Sequence, residues 1–239
     1  RLGLTGAACC QAAMGIGKIL CERKDYQGAV DYLRTALDMV SERPDAMFSL
    51  AVALELGGSP EEAIEQLKAI GRVEFKPTFV GIDFRQARIK AFLRLERLLR
   101  ELGRDNEALE AAAEARCDMP DSPEVLNAIG TIEFRTGRLV DALRTFESSI
   151  KIAQRGNVDA YVGLCQVYRT AGREDVLTLT LETMQSLFAA RPSFWAYYGL
   201  CRGEQADQKM PADMDREEVR RLRSRIRSRY GRVDQPEAR

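Results

Sequence analysis

The feature that most constrains this chain is a period. Four stretches of it align: D-Y-Q-G-A-V-D-Y-L-R-T-A at 25–36, S-P-E-E-A-I-E-Q-L-K-A-I at 59–70, R-D-N-E-A-L-E-A-A-A-E-A at 104–115 and R-L-V-D-A-L-R-T-F-E-S-S at 138–149. Their shared alanines, Ala29, Ala63, Ala108 and Ala142, stand 34, 45 and 34 residues apart, so one period carries an 11-residue insertion. A repeat of roughly 20–50 residues marks a supersecondary unit that cannot bury its apolar face alone and is stable only when stacked on its neighbours. Twelve residues before each alanine stand Gly17, Ala51, Glu96 and Gly130, and five before it Lys24, Gly58, Gly103 and Gly137. A small residue lets two antiparallel helices cross closely. A glycine between them adopts the left-handed conformation that ends the first helix without a Cβ clash.

These residues resemble the tetratricopeptide repeat family, with a small residue in the first helix, a glycine at the turn, an alanine in the second helix and a proline, here Pro120 and Pro192, where repeats end. The resemblance implies an all-α fold, a right-handed α-α superhelix of about five helix-turn-helix repeats with a C-terminal capping helix. Repeats are expected at 10–43, 44–77, 89–122, 123–156 and 157–191, with a partial one at 192–205, so that the solenoid covers 1–205. The insertion falls within 73–88; it either lengthens a loop or adds a turn to the next helix, and its apolar residues are expected to tuck against the solenoid. Glu96 breaks the small-residue pattern and predicts a splayed third repeat. The fifth repeat is weaker, with Gly172 at its turn but Leu177, Leu181 and Met184 in place of alanines. Residues 206–239 read as a connector, an arginine-rich capping helix opened by Asp215 and striped by Val219, Leu222, Ile226 and Tyr230, and a tail.

Composition narrows the chemistry. Lysine plus arginine equals aspartate plus glutamate at 36 each, so no net field draws the chain to nucleic acid or membrane. Charges interrupt every apolar stretch, and no membrane span of about 20 residues is expected. Histidine is absent, which removes the commonest general base and nitrogen metal ligand. Six cysteines at 9, 10, 21, 117, 165 and 201 form no C-x-x-C pair, which argues against a zinc site or disulfide framework and for a cytoplasmic setting. Gly15-Ile16-Gly17-Lys18 lacks the glycine and serine or threonine that a phosphate loop needs at 12 and 19. No catalytic residues, metal or cofactor are expected, and the chain does not read as an enzyme or as a binder of a small-molecule substrate.

The resemblance also indicates a surface. Family spacing places Lys18, Phe48, Lys90, Arg94, Arg97, Asn127, Phe134 and Arg169 on the concave face of the first helices. The cations would make a basic groove for an acidic peptide or protein segment, with Phe48 and Phe134 as apolar anchors. Lys90 and Arg94 match two residues of the clamp by which chaperone-binding members grip a terminal carboxylate, but Met14, Lys18 and Ser49 depart from the rest of that clamp. The leading expectation is therefore a protein-interaction scaffold. A second is the non-catalytic repeat region of a larger bacterial enzyme such as a glycosyltransferase, since the chain opens at Arg1 without methionine. A third is contact between the arginine-rich helix and nucleic acid or an anionic surface, set against a plain capping role that the neutral chain favours.

Overall fold

The computed structural model describes residues 2–74, 83–153, 156–202 and 208–230, and among them the regular structure is helical throughout. Two compact units divide the chain, Arg1–Met119 and Pro120–Arg239. The first holds α1 (Leu2–Glu22), α2 (Tyr26–Met39), α3 (Pro44–Leu56), α4 (Pro60–Arg72), α5 (Phe84–Glu101) and α6 (Asp105–Asp118). The second holds α7 (Pro123–Arg135), α8 (Leu139–Ile152), α9 (Val158–Thr170), α10 (Glu174–Phe188), α11 (Pro192–Arg202) and α12 (Arg216–Tyr230). Within each unit consecutive helices pack against each other, α1 to α10 as pairs of an odd-numbered first helix and an even-numbered second helix, while α12 packs on α11 and reaches back to α7.

One turn geometry closes five first helices. Gly58, Gly103, Gly137 and Gly172 have φ of 86°, 69°, 77° and 69°, and Lys24 takes 63° at the same station of the first pair. The following amide then donates back to the carbonyl five residues earlier: Asp25 to Leu20, Ser59 to Leu54, Arg104 to Leu99, Arg138 to Glu133 and Arg173 to Tyr168, all at 2.8–2.9 Å. These bonds satisfy carbonyls that a helix end leaves open. Helix starts are equally local. Pro44, Pro60 and Pro123 occupy first-turn positions, where the missing N–H costs nothing, while Asp25, Asp83, Ser122 and Asn157 accept from backbone amides of α2, α5, α7 and α9.

Packing within a pair rests on residues 16 apart: Gly17 with Leu33 and Gly130 with Phe146. A Cβ on Gly17 would stand 2.7 Å from Cγ of Leu33, closer than packed atoms come, so the glycine is what admits the leucine. The third pair inverts the sizes. Glu96 takes the small station at 5% exposure, Ala112 takes the large one at 4%, and Arg100 Nε donates to Glu96 Oε1 at 3.2 Å. The ion pair holds the buried Glu96, and α5 and α6 pack less closely than the other first and second helices, in keeping with a splayed third repeat. The alanines of α6 leave a small crevice of about 50 Å³ among Leu67, Phe92 and Ala111.

Ion pairs lace the second helices of the first unit: Arg34 to Glu62 at 2.7 Å, Lys68 to Glu107 at 3.1 Å, and Arg104 to Glu61 and Glu107 at 2.7 and 2.5 Å. In the second unit Val158, Val162, Leu177, Leu181, Phe194 and Trp195 share one buried cluster. Val219 of α12 joins it at 1% exposure, with Leu222 and Ile226 packed on its edge, and Asp215 caps α12 by accepting from the amides of Glu217 and Glu218 at 2.9 and 3.1 Å. The side chain of Tyr230 lies outside the described residues. Among the described residues no helix is long and apolar enough to cross a membrane.

Candidate binding groove

In the first unit the first helices α1, α3 and α5 border a groove of about 540 Å³. Its lining includes Lys18 of α1, Phe48, Ser49 and Val52 of α3, and Lys90 of α5. Each position follows from helical spacing, because Phe48 and Val52 lie one turn apart and Leu50, Ala51 and Leu54 take the buried side of the same helix. Phe48 and Val52 are half-exposed, whereas the two lysines are exposed. The surface therefore offers an apolar floor between two cations.

One wall was not legible in the repeat. α5 begins 24 residues before its anchor Ala108, while α3 and α7 begin 19 before Ala63 and Ala142. The extra turn starts at Asp83, which accepts from the amide of Gln86 at 3.0 Å, and Asp83, Gln86 and Ala87 all line the groove. The 11-residue insertion thus adds a turn to the next helix, and this turn faces the groove. Residues 75–82, with most of the apolar stretch expected to tuck against the solenoid, lie outside the described residues. Arg88 ties the turn to the end of α4, donating from Nη2 to the carbonyl of Val73 at 2.9 Å.

Charge in the groove is mixed. Besides Lys18 and Lys90 its lining holds Glu22, Asp45 and Asp83. Asp45 is engaged by Arg43, whose Nε donates at 2.8 Å and whose guanidinium, hydrogen-bonded to that carboxylate, titrates above its ordinary range. Arg94 and Arg97, counted from the sequence as groove cations, both turn to Glu55, at 2.5 and 3.3 Å. Glu55 is the partner that sequence reasoning missed. It stands on α3, 39 residues before Arg94, and no pattern within one repeat links the two.

The remaining predicted residues belong to the second unit and are placed differently. Asn127 is 6% exposed and its carboxamide is spent inside: Nδ2 donates to Asn157 Oδ1 at 2.8 Å, and Oδ1 accepts from Ser149 Oγ at 2.8 Å and Asn157 Nδ2 at 3.1 Å. This network joins α7, α8 and the cap of α9, so Asn127 is a packing residue with no groove surface. Phe134 packs on the cluster around Phe146 and Leu164. Arg169 is half-buried on α9, where its charge acts on the Cys165 thiol; burial, the larger effect, pushes that thiol well above its ordinary range. All six cysteines are free.

Curated protein sequences give no match. Among solved structures, MamA superposes with a TM-score of 0.56 at 20% identity, covering 74% of this chain and 91% of that one. MamA from Desulfovibrio magneticus RS-1, from residue 41 to its end, gives 0.58 at 12% identity over 76% and 96%. YrrB, described as a tetratricopeptide repeat protein with an unusual peptide-binding site, gives 0.55 at 15% identity over 82% and 89%. At such identities the likeness establishes the fold. The sequence pattern of the tetratricopeptide repeat family matches residues 11–75 and 93–159, more than half of the chain, and with the five left-handed turns and the 16-residue packing pairs this shows that the chain belongs to the tetratricopeptide repeat family.

Proposed function

We propose that this protein is an interaction module that holds a peptide segment of a partner protein in the groove of its first unit. The observation that carries the reading is the open groove of about 540 Å³ across α1, α3 and α5, within the range of about 300–1,000 Å³ usual for ligand sites. Phe48 and Val52 supply the apolar contact, and Lys18 and Lys90 engage carboxylates or main-chain carbonyls of the ligand. The peptide-binding site for which YrrB is described supports a peptide as the ligand class. Because Glu22, Asp45 and Asp83 line the same groove, we expect a ligand of mixed charge with an apolar centre, in place of a purely acidic one. Six free thiols suit a reducing, cytoplasmic setting.

The test is selection of a random peptide library on the intact chain, followed by affinity measurement of the enriched peptides. Phe48→Ala and Lys90→Glu are each expected to weaken binding about tenfold or more while leaving the melting temperature unchanged. Enriched peptides that bind both variants as well as the parent would place the site elsewhere.

A further inference from the structure

The middle of the first-helix face is closed in the second unit and half-open in the first. Thr131 of α7 is 0% exposed, and Val162 and Gln166 of α9 are 3% and 4%, whereas Phe48, Ser49 and Val52 of α3 are half-exposed. Beside this face lies α12, which packs against α11 and reaches back to α7. It buries Val219 in the cluster that contains Val162 and sets Leu222 and Ile226 against it.

Two details make this contact look like docking of a ligand. A Cβ on Gly199 of α11 would collide with the guanidinium of Arg223, so the glycine forms a seat for an arginine of the docked helix. Val219, Leu222, Arg223 and Ile226 therefore present one face at i, i+3, i+4 and i+7, the spacing by which an amphipathic helix is read in a groove. The covered surface also keeps an unused donor, since buried Gln166 Nε2 meets no acceptor among the described residues. Leaving a buried donor unpaired is unfavourable, so a helix that offers Gln166 an acceptor gains over one that does not. Seven of the 15 residues of α12 are arginines, and Arg216, Arg220, Arg221, Arg225 and Arg227 are exposed, so the helix remains well solvated when it leaves.

We propose that the first-helix groove of the second unit is a binding site for an amphipathic, arginine-bearing helix, and that α12 is its resident, exchangeable occupant. A partner helix with apolar residues at the stations of Val219, Leu222 and Ile226 and an arginine at that of Arg223 takes the same place, and a polar side chain offered to Gln166 favours it over α12. This site is separate from the open groove of the first unit and does not depend on it.

The experiment places a protease recognition sequence within 203–207 of the full chain, leaving every residue of α12 intact, and cuts it. The freed fragment should leave on dilution in size-exclusion chromatography while the remainder keeps its helical circular dichroism. A labelled synthetic peptide of residues 215–230 should then rebind saturably to the emptied chain, and about tenfold or more weakly when it carries Val219→Asp or Arg223→Ala, or when the chain carries Gly199→Leu. Unfolding of the remainder when the fragment leaves, or a fragment retained at every dilution, would make α12 a fixed part of the core and overturn the proposal. Rebinding indifferent to Val219→Asp would reduce it to charge attraction and overturn it equally.

Discussion

The ring of Phe146 lies where a side chain on Gly130 would have to be: a Cβ there would stand 2.7 Å from Cε1 of the ring. Gly163 of α9 touches the same ring from the next pair, so one phenylalanine is wedged against two glycines. Gly130→Ala is therefore expected to destabilise the protein by about 1–3 kcal/mol through overpacking. Phe146→Leu in the Gly130→Ala background should restore part of that loss, although alone it destabilises. Urea denaturation of the two single variants and the double variant measures this, and strictly additive losses would mean that ring and glycine do not share the space.

Lys24 occupies the left-handed station that Gly58, Gly103, Gly137 and Gly172 fill in other pairs. A side chain there costs about 1–2 kcal/mol, part of which is offset by the greater freedom glycine has in the unfolded chain. Lys24→Gly is expected to stabilise the protein by roughly 0.5–1 kcal/mol and Gly103→Ala to destabilise it by a similar amount. No contact crowds Gly103, so a loss there isolates the backbone effect. Thermal melts of both variants decide it, and equal melting temperatures would remove the strain.

Arg94 and Lys90 are neighbours on α5 with opposite expected behaviour. Arg94→Ala withdraws the closer of two cations from Glu55, whose side chain is 13% exposed, and should cost about 1–3 kcal/mol of stability. Lys90→Ala, at an exposed site, should fall within about 0.5 kcal/mol of the parent. Comparing denaturant midpoints distinguishes them; an unchanged midpoint for Arg94→Ala would return that arginine to the pool of groove cations.

Acid should loosen the lacing of the first unit at Glu107. Hydrogen bonds from Arg104 and then Lys68 hold its carboxyl below the ordinary 4.5. A carboxylate whose folded pKa is depressed contributes stability that is fully present above its unfolded value and is lost as pH falls through the folded one. The stability gap between parent and Glu107→Gln should thus be constant from neutral pH down to about 4.5 and close below it. Carbon-detected NMR titration of Glu107 should give a midpoint under 4.5, and a midpoint at or above it would contradict the pairing.

The repeat was legible because its stations are set by near neighbours. Left-handed glycines, capping residues and anchor alanines act within one helix pair, and their spacing is written directly in the chain. The stripe of α12 was legible for the same reason. What escaped were relations between pairs. Glu55 neutralises Arg94 across 39 residues, and Asn127 turns inward to Asn157 across 30. Family spacing assigns a face to a residue, but whether that face stays open depends on what another segment lays over it. Glu96 at the small station was legible as well: it predicts splaying, and α5 and α6 do pack less closely than the other pairs.

The extra turn of α5 gives the first groove a wall that the periodic part of the chain does not encode. Helices related by the repeat present similar floors at similar intervals, and such floors are shared by ligands of many kinds. Asp83, Gln86 and Ala87 exist once, so any selectivity of the proposed peptide site would be concentrated in an aperiodic element. Shortening that turn would remove the wall while leaving the scaffold's arithmetic of pairs untouched, so recognition at the proposed site could be altered without altering the fold.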